Sequence, residues 1–135
     1  MKIVVDAYAW IEIFIGSEEG KRAKENIEQA SEAYTPDTVL AEVARKYLRE
    51  GMNQETVMDR LTIITEASSI TSISMETAME AAKCYMKLSD EAEKARLRTP
   101  SLFDAIVLAT TKLLQAKVLT GDEHLKKLPE TLWIK

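Results

Sequence analysis

Lys2-Ile3-Val4-Val5-Asp6 is an apolar run that stops at a carboxylate, and Ala7-Tyr8-Ala9-Trp10-Ile11-Glu12-Ile13-Phe14-Ile15 follows it with Tyr8, Ile11 and Ile15 at helical spacing. A strand that ends in Asp and turns at once into a helix is the opening unit of an α/β fold. Near the other end, Lys117-Val118-Leu119-Thr120-Gly121-Asp122 repeats that ending. In a parallel sheet, ligands bind outside the carboxyl ends of the strands. Asp6 and Asp122 are therefore expected to share one crevice although they lie far apart in sequence.

Working outward, Gly16 stops the first helix and Ser17 precedes a second, Glu18 to Ser31, with Ala23, Ile27 and Ala30 as its inward stripe. Ala33 to Thr35 reads as a brief strand ended by Pro36. Asp37 or Thr38 then caps a helix running to about Glu50, with Val39, Leu40, Val43, Ala44, Tyr47 and Leu48 inward and Gly51 as its stop. Asn53 opens another helix, carrying Val57, Leu61, Ile63 and Ile64, and Ile70 to Ile73 reads as the third strand. Ser74 caps a long helix, Met75 to about Arg96, for which the spacing predicts a core face of Ala78, Ala82, Tyr85, Met86 and Leu88; the polar tail from Ser89 to Arg98 is open to fraying. Leu102 to Gln115 is the most apolar helix, followed by strand Val118 to Thr120, a short helix near Glu123 to Lys127 and a strand Leu132 to Ile134. Strands alternating with helices predict a three-layer α/β/α sandwich around a central, mostly parallel sheet, with residues 1–135 as one domain.

Composition narrows the chemistry. The 22 acidic residues against 18 basic give a net charge of -4, unlike a basic duplex-binding module, so any nucleic-acid contact must be local. The single cysteine, Cys84, excludes an intrachain disulfide and a thiolate metal cage, and reads as a small buried side chain. The N-terminal apolar stretch, broken by Asp6 and Glu12, is neither a secretory signal nor a membrane span, which makes the cytoplasm the expected location.

Two further acids, Glu42 and Asp104, sit near the starts of helices expected to open from the same sheet edge as Asp6 and Asp122. Each has an ordinary explanation. Asp6 fits an N-cap, Glu42 a solvated helix flank, Asp104 the capping box Ser101-x-x-Asp104, and Asp122 a turn before a short helix. Yet Asp104 is the only acid of a helix apolar on nearly every side, so its charge needs a partner. Four carboxylates in one crevice repel each other unless a cation neutralises them, and carboxylate oxygens suit Mg²⁺ or Mn²⁺. Thr120 is placed to orient a metal-bound water or a phosphate. His124 reads as an exposed turn residue, and Glu12 and Glu123 as surface acids near the site. With a single His and no Ser/His or Cys/His arrangement, base catalysis would fall to a carboxylate or to metal-bound hydroxide.

Val5-Asp6-Ala7-Tyr8-Ala9-Trp10-Ile11-Glu12, Leu40-Ala41-Glu42-Val43, Leu102-Phe103-Asp104-Ala105-Ile106-Val107-Leu108-Ala109 and Leu119-Thr120-Gly121-Asp122 resemble, in order, the four acidic motifs of PIN-domain nucleases. The resemblance spans essentially the whole chain and is closest to VapC-type toxins of prokaryotic toxin-antitoxin pairs. It implies a metal-dependent endoribonuclease in which Asp6, Glu42, Asp104 and Asp122 hold one or two divalent ions and Thr120 is the hydroxyl of a Thr/Ser-x-Asp motif. It also implies an RNA substrate, a homodimer and a protein antitoxin. Tyr8 stands where many members carry Ser, Thr or Asn, and His124 where many carry a further Asp. Arg45, Lys46 and Arg49, with Lys94, Arg96 and Arg98, are the basic groups available to flank such a crevice, although they equally fit solvated faces. A phosphoacceptor receiver domain has a similar layout but needs an Asp closing its third strand, which Ile70-Thr71-Ser72-Ile73-Ser74 lacks. The remaining rivals are a PIN nuclease of RNA processing and a PIN-like module that binds RNA or protein without cutting.

Overall fold

The computed structural model describes residues Met1–Lys135. Five strands, β1 (Lys2–Val5), β2 (Glu32–Pro36), β3 (Ser69–Thr71), β4 (Lys117–Thr120) and β5 (Thr131–Trp133), form one sheet in the order β3-β2-β1-β4-β5. Every pairing is parallel. Six helices connect them: α1 (Ala7–Ile15) and α2 (Glu18–Gln29), α3 (Asp37–Arg49) and α4 (Gln54–Ala67), α5 (Met75–Ala95) and α6 (Leu102–Leu113). A 3-10 turn at Glu123–Leu125 joins β4 to β5.

The order of the strands fixes where a site can form. The chain walks outward from β1 to β3 and then returns to β4 on the other side of β1. Right-handed crossovers therefore put α1 to α4 on one face and the returning pair α5 and α6 on the other, giving three layers. The reversal lies between β1 and β4, and a crevice opens there at the carboxyl ends. Register brings the two predicted acids together: Val5 pairs with Leu119, so Asp6 and Thr120 are the next residues on adjoining strands. Strand β3 lies at the edge, away from that reversal.

Ile3, Val4, Val5, Val118 and Leu119 are each at most 1% exposed, the unbroken apolar pattern of strands covered on both faces. They belong to one core cluster of 25 buried residues that includes Trp10, Val43, Ile64 and Leu108. In α6, Ala105 to Thr111 are all buried. Gly20 lets α2 approach α1 at backbone distance, since a Cβ there would lie 2.0 Å from the Glu12 carbonyl oxygen.

Several local expectations differ from the structure. Helix α5 buries Thr77, Ala81, Cys84, Leu88 and Ala92, whereas Ala78 and Ala82 face solvent and Met86 is 70% exposed. The small side chains of that stripe let α5 lie close against α6, its principal partner, and leave the methionines outside. The polar tail of α5 does not fray before Ala95. Leu48, Ile63 and Ile15 also point outward. Neither Asp37 nor Thr38 caps α3: the helix starts at Asp37 itself with Pro36 at the cap position. The third strand is Ser69–Thr71, shorter and one residue earlier than the apolar run suggests, and Ile73 is exposed beyond it.

A candidate metal centre at the carboxyl edge

Asp6, Glu42, Asp104 and Asp122 line one crevice of about 40 Å³ together with Ala7, Tyr8, Val107 and Leu125, room for a few water-sized groups. Four different elements supply the acids: the β1–α1 junction, the second turn of α3, the first turn of α6 and the turn after β4. Three of the acids do the capping work that sequence suggests. Asp6 Oδ1 accepts from the Ala9 N–H at 2.9 Å. Asp104 Oδ2 accepts from the Ser101 N–H at 3.0 Å while Ser101 Oγ accepts from the Asp104 N–H at 3.1 Å. Asp122 Oδ1 accepts from the His124 N–H at 2.8 Å. A carboxylate that caps through one oxygen keeps its orientation and still has lone pairs to offer, so capping and ligation are compatible. Glu42 has only charges and burial around it and no hydrogen bond.

Thr120 ties the two strand ends together. Its fully buried hydroxyl donates to Asp6 Oδ2 and accepts from the Asp122 N–H at 2.9 Å. Gly121 is required next because the Tyr8 ring packs onto it: a Cβ there would lie 2.2 Å from Tyr8 Cε1. Tyr8 donates its hydroxyl to Glu19 at 2.7 Å and is one of the residues that wall the crevice.

The electrostatics are those of an anionic site short of a counter-charge. Burial lifts Asp6 to about 7, opposed by its hydrogen bonds to Thr120 and Ala9 and reinforced by the charges of Asp122 and Glu42. Glu42 rises to about 7 through burial and the charges of Asp104 and Asp122, partly offset by Arg45. Asp104 is raised by burial and by Asp122, against the Ser101 hydrogen bonds and His124. The lysine ion pairs all lie elsewhere. Arg45 stacks over the Phe103 ring at 5.6 Å.

His124 differs most from expectation. Its side chain is only 10% exposed, with Nδ1 3.1 Å from Asp122 Oδ1 and Nε2 2.5 Å from the Arg98 carbonyl oxygen. Burial alone would lower its pKa, but the Arg98 carbonyl and the Asp122 and Asp104 carboxylates outweigh that and raise it. Donor atoms of Asp104, Asp122 and His124 all lie within 4.8 Å of one another, a spacing able to hold a metal ion. The signal for this was faint: a histidine two residues after a predicted ligand, and a polar loop before Pro100. Glu12 and Glu123 stay outside the crevice. Glu12 accepts from the Ser17 hydroxyl at 2.5 Å, and Glu123 is exposed beside Lys135.

The family model for the PIN domain matches residues 3–131, so the chain belongs to the PIN-domain family, a family of nucleases. Its structural neighbours include toxin-antitoxin proteins, several of them VapBC. A toxin-antitoxin complex from Klebsiella pneumoniae is 22% identical, with 98% of each chain covered and a TM-score of 0.66. Mycobacterium tuberculosis VapC20, described as a sarcin-ricin loop cleaving toxin, is 17% identical over 95% of this chain and 97% of that one, with a TM-score of 0.69. DNA-bound VapBC from Salmonella typhimurium is 13% identical over 100% and 99%, with a TM-score of 0.72. At these identities the likeness establishes the fold. No curated protein sequence matches the chain.

Proposed function

We propose that the chain is a divalent-metal-dependent endoribonuclease that hydrolyses RNA phosphodiester bonds as the toxin of a toxin-antitoxin pair. The observation that carries this reading is the convergence of four carboxylates from four elements on one crevice, with no lysine or arginine ion pair to neutralise them. Asp6, Glu42, Asp104 and Asp122 are the residues that would hold Mg²⁺ or Mn²⁺, and the elevation of Asp6 and Glu42 to about 7 is the strain a cation would relieve. Such an ion, when bound, lowers the pKa of a coordinated water and neutralises charge on the scissile phosphate.

The chain's own residues supply orientation. Thr120 and the Ala9 N–H fix both oxygens of Asp6, Ser101 fixes Asp104, and the His124 N–H fixes Asp122. Tyr8, Val107 and Leu125 complete the lining of a crevice of only about 40 Å³, which favours single-stranded or looped RNA over a duplex. Exposed Arg45 and Arg49 on α3 and Lys94, Arg96 and Arg98 before α6 offer local positive charge to phosphates despite the acidic whole.

Several of the fold's neighbours are toxin-antitoxin complexes, which supports a protein antitoxin as partner. No helix is long and apolar enough to cross a membrane, and a cytoplasmic site of action fits an RNA substrate. For the homodimer, Met75, Met79 and Met86 form an exposed row on the outer face of α5, a straight apolar strip that a two-fold axis can pair with itself.

Incubation of purified protein with labelled single-stranded RNA and Mn²⁺ or Mg²⁺, beside Asp6→Asn and Asp104→Asn variants, tests the activity. Metal-dependent cleavage lost in both variants is expected; RNA binding without cleavage would instead make this a binding module. A short reading frame for a partner beside the gene is expected for a toxin, and an orphan locus would point to RNA processing.

A further inference from the structure

We propose that His124 Nδ1 is a nitrogen ligand in this centre, so that the end formed by Asp104, Asp122 and His124 selects a transition-series divalent cation such as Mn²⁺ over Mg²⁺. The inference rests on reading the crevice as a divalent-metal centre and adds the identity of one ligand and the class of ion it prefers.

A backbone carbonyl can only accept, so the nitrogen 2.5 Å from Arg98 O, Nε2, carries the hydrogen. The other ring nitrogen, Nδ1, lies 3.1 Å from Asp122 Oδ1, and donor atoms of Asp104, Asp122 and His124 all lie within 4.8 Å of one another, so that one divalent ion could be held by all three.

The remaining surroundings match. A ligating histidine ordinarily donates its other ring N–H to a carbonyl or carboxylate, which sets the tautomer and the ring plane. Arg98 O plays that part from the loop between α5 and α6, and the same loop carries Ser101, which orients Asp104. An imidazole beside carboxylates favours transition-series ions, whereas Mg²⁺ prefers oxygen alone.

Pulsed electron paramagnetic resonance of the Mn²⁺-loaded protein reads the ligand directly. Nitrogen hyperfine coupling from one imidazole is expected, and with a single histidine in the chain it has one source. His124→Asn should keep bound Mn²⁺ but lose that coupling. By calorimetric titration, His124→Asp should shift the ratio of Mn²⁺ to Mg²⁺ affinity about tenfold towards Mg²⁺. Bound Mn²⁺ with oxygen-only surroundings in the unaltered protein overturns this inference and leaves the metal centre standing. No bound Mn²⁺ at all overturns both. The spectrum of the unaltered protein decides even where a variant folds poorly.

Discussion

The two ends of the sheet make instructive opposites. At the amino edge, Ser31 to Tyr34 and Thr65 to Ser69 line an open hollow of about 450 Å³, many times the volume of the crevice at the carboxyl edge. Its two acids, Glu32 and Glu66, are exposed, and Glu32 has a lysine partner in Lys2 at 3.8 Å. The small crevice instead gathers four half-buried or buried acids, and burial together with neighbouring carboxylates raises the pKa of Asp6, Glu42 and Asp104. Volume alone does not mark a site. Convergent charge held against solvation does, because the fold must bear a cost there that only a ligand recovers.

The largest test of that contrast is activity. Asp6→Asn or Asp104→Asn should reduce RNA cleavage about 10²–10³-fold, because each removes charge at the centre while leaving an amide able to cap its helix. Glu66→Gln in the amino-edge hollow should leave the rate unchanged. Equal losses at both edges, measured under single-turnover conditions, would erase the distinction between them.

Stability should move in the opposite direction. The carboxyls of Asp6 and Glu42 stand at about 7 in the folded protein against ordinary values of 3.8 and 4.5. Folding therefore takes up protons in that window, and the stability they contribute is fully present below pH about 4 and lost as pH rises through about 7. The melting temperature of the metal-free protein should fall between pH 5 and pH 8, with added Mn²⁺ restoring it at pH 8 and doing little at pH 5. At pH 8, Asp6→Asn should stabilise the metal-free protein by about 1–3 kcal/mol although it lowers metal-dependent activity. A metal-free melting temperature that climbs with pH would contradict the electrostatic account.

Smaller effects sharpen the geometry. Gly121→Ala forces a Cβ against the Tyr8 ring and should cost about 1–3 kcal/mol in denaturant unfolding, with Tyr8 displaced from the crevice wall. An unchanged midpoint would show that the ring moves freely. Thr120→Val preserves volume but removes the hydroxyl that joins Asp6 to Asp122, and should weaken Mn²⁺ binding about tenfold by titration. Unaltered affinity would mean the strand register alone holds the acids.

Much of this site was legible in the sequence because strand ends and helix caps are local signals. Asp6, Ser101 with Asp104, and Thr120-Gly121-Asp122 announce themselves by their neighbours, and the structure finds each at its expected junction. Glu42 had no such local mark, and its place in the crevice came only with the ordered set of motifs. The concealed part depends on distant contacts. Helix α5 offers two apolar faces, and only its packing against α6 selects the stripe of Ala81, Cys84 and Leu88 over that of Met79 and Met86. His124 looks exposed in a turn because the loop that covers it, at Arg98, lies 26 residues earlier. Strand β3 is shorter than its apolar run because pairing with β2 ends at Pro36 and Thr71.

The central claim is that Asp6, Glu42, Asp104 and Asp122 share a divalent cation. Anomalous diffraction from crystals soaked in Mn²⁺ tests it most directly: a peak within coordination distance of these side chains is predicted. Well-ordered crystals with the crevice open to solvent and no peak there, or a peak only at other surface acids, would contradict it.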